Sequence, residues 1–183
     1  MSARERVRDH LLAHAVAHGT FTLKSGRTSS WFIDAKRTVC DPAVMVDVAE
    51  LILELVPASA TALGGLTMGA DSVTFITAGV AATRGRALRA FSVRKEVKDH
   101  GGGGRIAGWL EAGDRVVITE DAVTRGTSLL EAASVVRDLG ATVVRLVALV
   151  DRGGTVGALA AAQALEAVSV FTAGDLGLPF EGG

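Results

Sequence analysis

The chain has 183 residues, 49% apolar and 21% charged, enough for one domain with a real core and too apolar for wholesale disorder. Nineteen Lys and Arg against 20 Asp and Glu leave a formal charge of −1, which argues against attachment to nucleic acid by overall charge. Aromatics at 4% argue against a base-stacking platform, and the single Cys40 cannot form an internal disulfide.

In chain order, Val7, Leu11, Leu12, Ala15 and Val16 predict a helix over Arg4–Ala17, stopped at Gly19. Phe21–Leu23 and Trp31–Asp34 read as a hairpin around Lys24-Ser25-Gly26-Arg27. A helix over Pro42–Val56 follows, capped by Asp41; its acids Asp47, Glu50 and Glu54 rule it out as a membrane span. Strands and helices then alternate. Strands are predicted at Thr61–Gly64, Ala90–Val93, Arg115–Thr119, Thr142–Val150 and Ala167–Thr172, with helices at Gly69–Ala82, Thr127–Leu139 and Thr155–Ala164. That alternation predicts one α/β domain, a parallel sheet covered on both faces, with ligands at the strand-end edge. The charged N-terminus is unlike a signal peptide, and the lone cysteine suits a reducing cytoplasm.

Val116–Ser128 is the most informative segment. A β-favouring run meets Glu120 and Asp121, then Ala122, Val123, Thr124, Arg125 and Gly126 lead into a helix opening at Thr127 and Ser128. Free amides, hydroxyls and a helix N-terminus suit a phosphate, while the paired acids suit sugar hydroxyls or a metal ion. A capped turn is the plainer reading of the same residues. No G-x-x-x-x-G-K-[ST] motif is present.

Arg84–Arg105 holds seven of the 19 cations: Arg84, Arg86, Arg89, Arg94, Lys95, Lys98 and Arg105. It runs through Asp99 and His100 into Gly101–Gly104, which predicts either a cationic lid over a polyphosphate or a solvated loop. His10, His14 and His18 share a helical stripe, but no H-E-x-x-H motif supports zinc. Cys40 reads as a small buried filler. Arg152, after Asp151, stands at the ligand edge, where it can take a carboxylate or simply pair with Asp151.

Together these segments resemble the orotate phosphoribosyltransferase family over nearly the whole chain. Val116–Ser128 is similar to the phosphoribosyl-diphosphate motif of type I phosphoribosyltransferases. Phe21–Gly26 with Trp31–Asp34 is similar to the family's substrate hood, Arg94–Gly101 to its catalytic loop, Leu149–Arg152 to its orotate-binding strand end, and Gly64–Asp71 to its diphosphate-side loop. Met68 stands where some relatives place a lysine, Arg125 where a small residue is usual, and Gly102 and Gly153 where acids are common. Ser30 and Ser72 replace common prolines.

The resemblance implies a type I fold in one domain spanning 1–183, with a hood mainly over 1–40 plus the C-terminal segment and a core over about 41–172. It implies transfer of ribose 5-phosphate from phosphoribosyl diphosphate to orotate, giving orotidine 5′-phosphate and diphosphate. Lys24, Arg94, Lys95, Lys98, His100 and residues 120–128 would bind phosphoribosyl diphosphate, with Lys98, Glu120 and Asp121 catalytic. Thr124, Arg152, Phe32 and Ile33 would bind orotate. Mg2+ would be carried by the substrate rather than by a protein cage, and a homodimer would share the loop between sites. Two alternatives stay beside this reading: transfer to uracil or a purine, and a non-catalytic sensor of phosphoribosyl diphosphate.

Overall fold

In the computed structural model, residues 1–22, 26, 28–97 and 104–181 are described. The first helix, α1 (Ala3–His10), is opened by a capping box: the Ser2 hydroxyl accepts from the Glu5 amide, and the Glu5 carboxylate accepts from the Ser2 amide. A π-helical turn, Leu11–Ala15, follows, and at Val16 the chain is already strand. The predicted helix to Ala17 is therefore too long. Val16 and Ala17 pair with Ile33 and Phe32, so β1 (Val16–Thr22) and β2 (Thr28–Ile33) form an antiparallel hairpin longer than the sequence suggested. His18 belongs to that strand. The histidine stripe is thereby broken, and His10 turns instead to Thr38 and Asp41.

After the short α2 (Lys36–Val39), Cys40 is exposed, which corrects its reading as a buried filler. Asp41 accepts from the Ala43 amide and closes a turn, so α3 (Met45–Leu55) begins three residues beyond the predicted Pro42 start. Arg6 clamps both carboxylate oxygens of Asp47 at 2.6 and 2.7 Å, joining α1 to α3.

The main sheet contains β3 (Ala62–Leu66), β4 (Arg89–Val93), β5 (Ile106–Gly108), β6 (Arg115–Val123), β7 (Thr142–Asp151) and β8 (Ala167–Thr172) in the order β5-β4-β3-β6-β7-β8. All neighbours run parallel except the short edge strand β5, which the sequence reading did not contain. Helix α4 (Gly69–Thr83) carries the crossover from β3 to β4, α5 (Thr127–Asp138) that from β6 to β7, and α6 (Val156–Ala161) that from β7 to β8.

Two apolar layers enclose the sheet. Val7, Trp31, Val48, Ile52 and Val73 pack with Leu63 and Val117 on one face; Leu129, Ala132 and Val136 pack with Val116, Ile118 and Leu146 on the other. The α/β expectation therefore holds. Because β4 and β6 flank β3 on opposite sides, the topology switches between β3 and β6, and the parallel strands end at one edge there.

Candidate active site

The site is built on strand ends. Strand β6 does not stop at Thr119: Glu120 and Asp121 lie inside it, 5% and 6% exposed, with Glu120 opposite Ala148 and the following Ala122 opposite Val150 of β7. Acidic residues disfavour strands, but pairing with β7 overrides that preference here. The Glu120 side chain approaches the start of α4 so closely that a Cβ at Gly69 would lie 1.9 Å from Glu120 Oε1. Any larger residue there would have to push the Glu120 carboxyl aside. Burial, reinforced by the adjacent Asp121 charge, pushes the Glu120 carboxyl up to about 8.

Asp121 is held from two sides. Its Oδ1 accepts from the Ala122 amide at 2.8 Å, and its Oδ2 accepts from Lys36 Nζ at 2.5 Å. Burial opposes the charge on Lys36, but the Asp121 hydrogen bond and the charges of Asp121, Asp34 and Glu120 outweigh it and raise the lysine.

Beyond Val123 the chain turns at Thr124 and Arg125 and enters α5 through Gly126, whose φ of 74° is the left-handed conformation that glycine tolerates. Amides 127–129 of the first turn have no intrahelical acceptor and stay available as donors at the helix N-terminus. Thr124 and Ser128 are half-buried; Arg125 and Thr127 are exposed or nearly so at the mouth of the loop, apart from the backbone they contribute.

The next turn buttresses this loop. A Cβ at Gly153 would fall 1.8 Å from the Thr124 carbonyl oxygen, and the Thr155 hydroxyl donates to that oxygen at 3.3 Å. Asp151 Oδ1 accepts from the amides of Gly153 and Gly154, both at 2.9 Å. The Asp151 carboxylate is thus engaged with backbone rather than with Arg152. Arg152 is 6% exposed: it donates to the Trp31 carbonyl at 3.0 Å and lies over the Trp31 and Phe32 rings at 4.4 and 5.9 Å. Its Nε is buried without a partner, and burial pulls the guanidinium below its ordinary value, against the opposing influence of the Glu181 charge. Residues 179–181 strap this corner, with Pro179 accepting from the Trp31 indole and the Glu181 amide donating to the Arg152 carbonyl.

The structure thus brings Glu120, Asp121, Ala122, Val123, the 124–128 loop, Arg152 and Phe32 to one edge. Ile33 is on the opposite face of its strand, 5% exposed within the core. Its backbone neighbours the site, but its side chain does not reach Arg152's surface. Arg94 and Lys95 follow β4: the Arg94 amide donates to Arg105, whose guanidinium bonds the Arg94 carbonyl and Glu131. Lys24, Lys98, Asp99 and His100 lie outside the described residues. Met68 is exposed, and Asp71 accepts from Thr67 and Ser92, bracing the loop between β3 and α4. Two residues were missed as site members. Trp31 was legible as part of the hood but not as the platform under Arg152, and Lys36 carried no local motif.

No family model matches the chain. An orotate phosphoribosyltransferase of Streptomyces coelicolor is 43% identical over 139 residues, covering 75% of this chain and 76% of that protein. The chain belongs to the orotate phosphoribosyltransferase family. One from Corynebacterium glutamicum strain R is 35% identical over 179 residues, 97% of this chain and 96% of the relative. Among solved structures, the Mycobacterium tuberculosis H37Rv orotate phosphoribosyltransferase in complex with 5-phospho-alpha-D-ribosyl 1-diphosphate superposes with a TM-score of 0.79 at 31% identity, covering 96% of this chain and 99% of that one. The type I phosphoribosyltransferase fold follows from the same likeness.

Proposed function

We infer that the chain transfers the ribose 5-phosphate unit of phosphoribosyl diphosphate to N1 of orotate, giving orotidine 5′-phosphate and diphosphate in pyrimidine biosynthesis. The observation that carries the choice of base is Arg152: a buried guanidinium with an unsatisfied Nε, stacked on Trp31, beside the phosphate loop. A planar heterocycle bearing a carboxylate supplies both the acceptor and the stacking face that this corner lacks. Neutral uracil or a purine would leave the guanidinium uncompensated.

In this reading the 124–128 loop takes the 5-phosphate, and Thr124 also meets the base. Glu120 and Asp121 accept from the ribose 2- and 3-hydroxyls and stabilise positive charge developing at C1. The bond from C1 to the diphosphate oxygen breaks, the oxygen keeping the electron pair, as C1 bonds to N1 and the N1 proton passes to the departing diphosphate. Arg94, Lys95, Lys98 and His100 would neutralise the leaving group, with Lys98 the principal loop cation, and Lys24 would add to the binding of phosphoribosyl diphosphate.

The oxygen donors fit a hard cation such as Mg2+ that arrives on the diphosphate and keeps part of its water shell. Glu120 and Asp121 would hold it through the ribose hydroxyls, and Lys36 already occupies one Asp121 oxygen. Bound, it would offset diphosphate charge. Met68, just before α4, and Phe75, within it, both exposed and seven residues apart, offer an apolar face for a homodimer in which the 94–104 loop is shared. A cytoplasmic setting suits the lone cysteine, and no helix among the described residues is long and apolar enough to cross a membrane.

The test follows orotate absorbance as phosphoribosyl diphosphate and Mg2+ are added, with uracil and hypoxanthine as controls. Mg2+-dependent loss of orotate, weakened in Lys98→Ala, supports the reading. Consumption of a control base would overturn the role of Arg152. Binding of phosphoribosyl diphosphate with no base consumed would favour a sensor.

A further inference from the structure

We propose that Lys36 is a positioning residue for the acidic pair: its ion pair with Asp121 ties the hood to the ribose side of the site and fixes the carboxylate that meets the sugar. This rests on Glu120 and Asp121 being the ribose-binding acids. Lys36 opens α2, three residues after the end of β2, the strand that presents Trp31 and Phe32 to Arg152. The intervening Asp34 and Ala35 are anchored, the first through its amide to the Ala15 carbonyl, the second by burial at 1% exposure. The lysine is therefore launched from a fixed point, and its ammonium reaches across 85 positions of sequence to Asp121.

The electrostatic surroundings give that contact its importance. On β6 the two acids are adjacent and buried. Asp34 adds a further negative charge beside Lys36, and Asp71 lies in the first turn of α4, whose N-terminus Glu120 approaches at Gly69. Among the described residues, Lys36 is the cation ion-paired with Asp121, and the Glu120 charge also acts on it. Two adjacent carboxyls with little solvent and no cation would repel each other and turn away from a shared ligand. With Lys36 on Oδ2 and the Ala122 amide on Oδ1, the plane of Asp121 is set before the sugar arrives, so ordering it costs nothing on binding.

Lys36→Met, Lys36→Gln, Lys36→Arg and Asp121→Asn would be compared by calorimetric titration with phosphoribosyl diphosphate alone and by steady-state kinetics from pH 6 to 9. The Met and Gln variants should bind phosphoribosyl diphosphate on the order of tenfold more weakly, with the KM for orotate within about twofold of the parent. Their acidic limb of binding should move to higher pH, because losing a cation disfavours the charged form of both acids. Arg should restore most of the affinity. Unchanged affinity and pH profile in Met and Gln, with Asp121→Asn impaired, would overturn the role of Lys36 and leave the ribose assignment standing. Equal loss toward both substrates without rescue by Arg would overturn it as general loosening. Unimpaired Asp121→Asn would remove the ribose assignment itself, and the proposal with it.

Discussion

Strand β6 has a buried carboxylate at each end, and the two are treated oppositely. Asp114, just before the strand, is 6% exposed and accepts from the Thr61 hydroxyl at 2.7 Å, the Glu111 amide at 2.9 Å and the Arg89 guanidinium at 3.1 and 3.0 Å. Burial alone would raise it; these donors outweigh burial and hold it below the usual carboxylate range. Near the other end, Glu120 is equally hidden but meets a like charge and few donors, and it is pushed up. A carboxylate satisfied by its own fold stabilises the fold. One left under-satisfied stores a demand that a ligand's hydroxyls can meet.

Neutralising the acids at both ends puts this contrast to its most severe test. Asp121→Asn should lower kcat/KM by roughly 10²-fold or more, through lost stabilisation of the sugar in the transition state, with little change in Tm. Asp114→Ala should do the reverse. Stranding the Thr61, Glu111 and Arg89 donors costs about 2–3 kcal/mol, or roughly 4–12 °C in Tm for a chain of this size, while the KM values of the folded enzyme stay put. Thermal melts and initial rates on the same samples decide it. Parallel losses in both quantities would erase the distinction between the two ends.

The pH dependence separates the two ends further. Glu120 binds its proton more tightly folded than unfolded, so its contribution is fully present below the unfolded value near 4.5 and is lost as pH rises toward about 8. Glu120→Gln should therefore flatten the fall in Tm between about pH 5 and 8, leaving the variant a few degrees more stable than the parent at the upper end. Lower stability of the variant there would mean that Glu120 is charged and well paired.

How much of this was legible in sequence depends on the range of the interaction. The Val116–Ile118 run, the turn at 124–126 and the helix after it are local signals, and they led to the phosphate loop. The extension of β6 through Glu120 and Asp121 was not legible, because strand preference opposes it and only pairing with β7 produces it. Edge strand β5 is three residues ending in a glycine, too short for any periodicity. Arg152 could be placed at the ligand edge from the strand before it. Its platform, Trp31, lies 121 positions away and needed the hood folded against the sheet. Lys36 sits on a four-residue helix with no pattern to betray its reach.

A milder change isolates a single donor at the satisfied end. The Thr61 hydroxyl donates to Asp114 and accepts from the Arg115 amide at 2.9 Å, so it bridges the loop before β3 to the start of β6. Thr61→Val keeps the shape and removes both bonds, which should cost about 1–2 kcal/mol near neutral pH. Part of that cost belongs to the charged form of Asp114. Its folded value is depressed, so its stabilisation exists above the unfolded value near 3.8 and disappears as pH falls through the lower folded value. The gap in Tm between parent and Thr61→Val should accordingly narrow in acid but not close, because the Arg115 amide has lost its acceptor at every pH. A gap that stays constant down to about pH 3 would assign the whole effect to that amide and leave Arg89 and the Glu111 amide as the groups that hold Asp114 down.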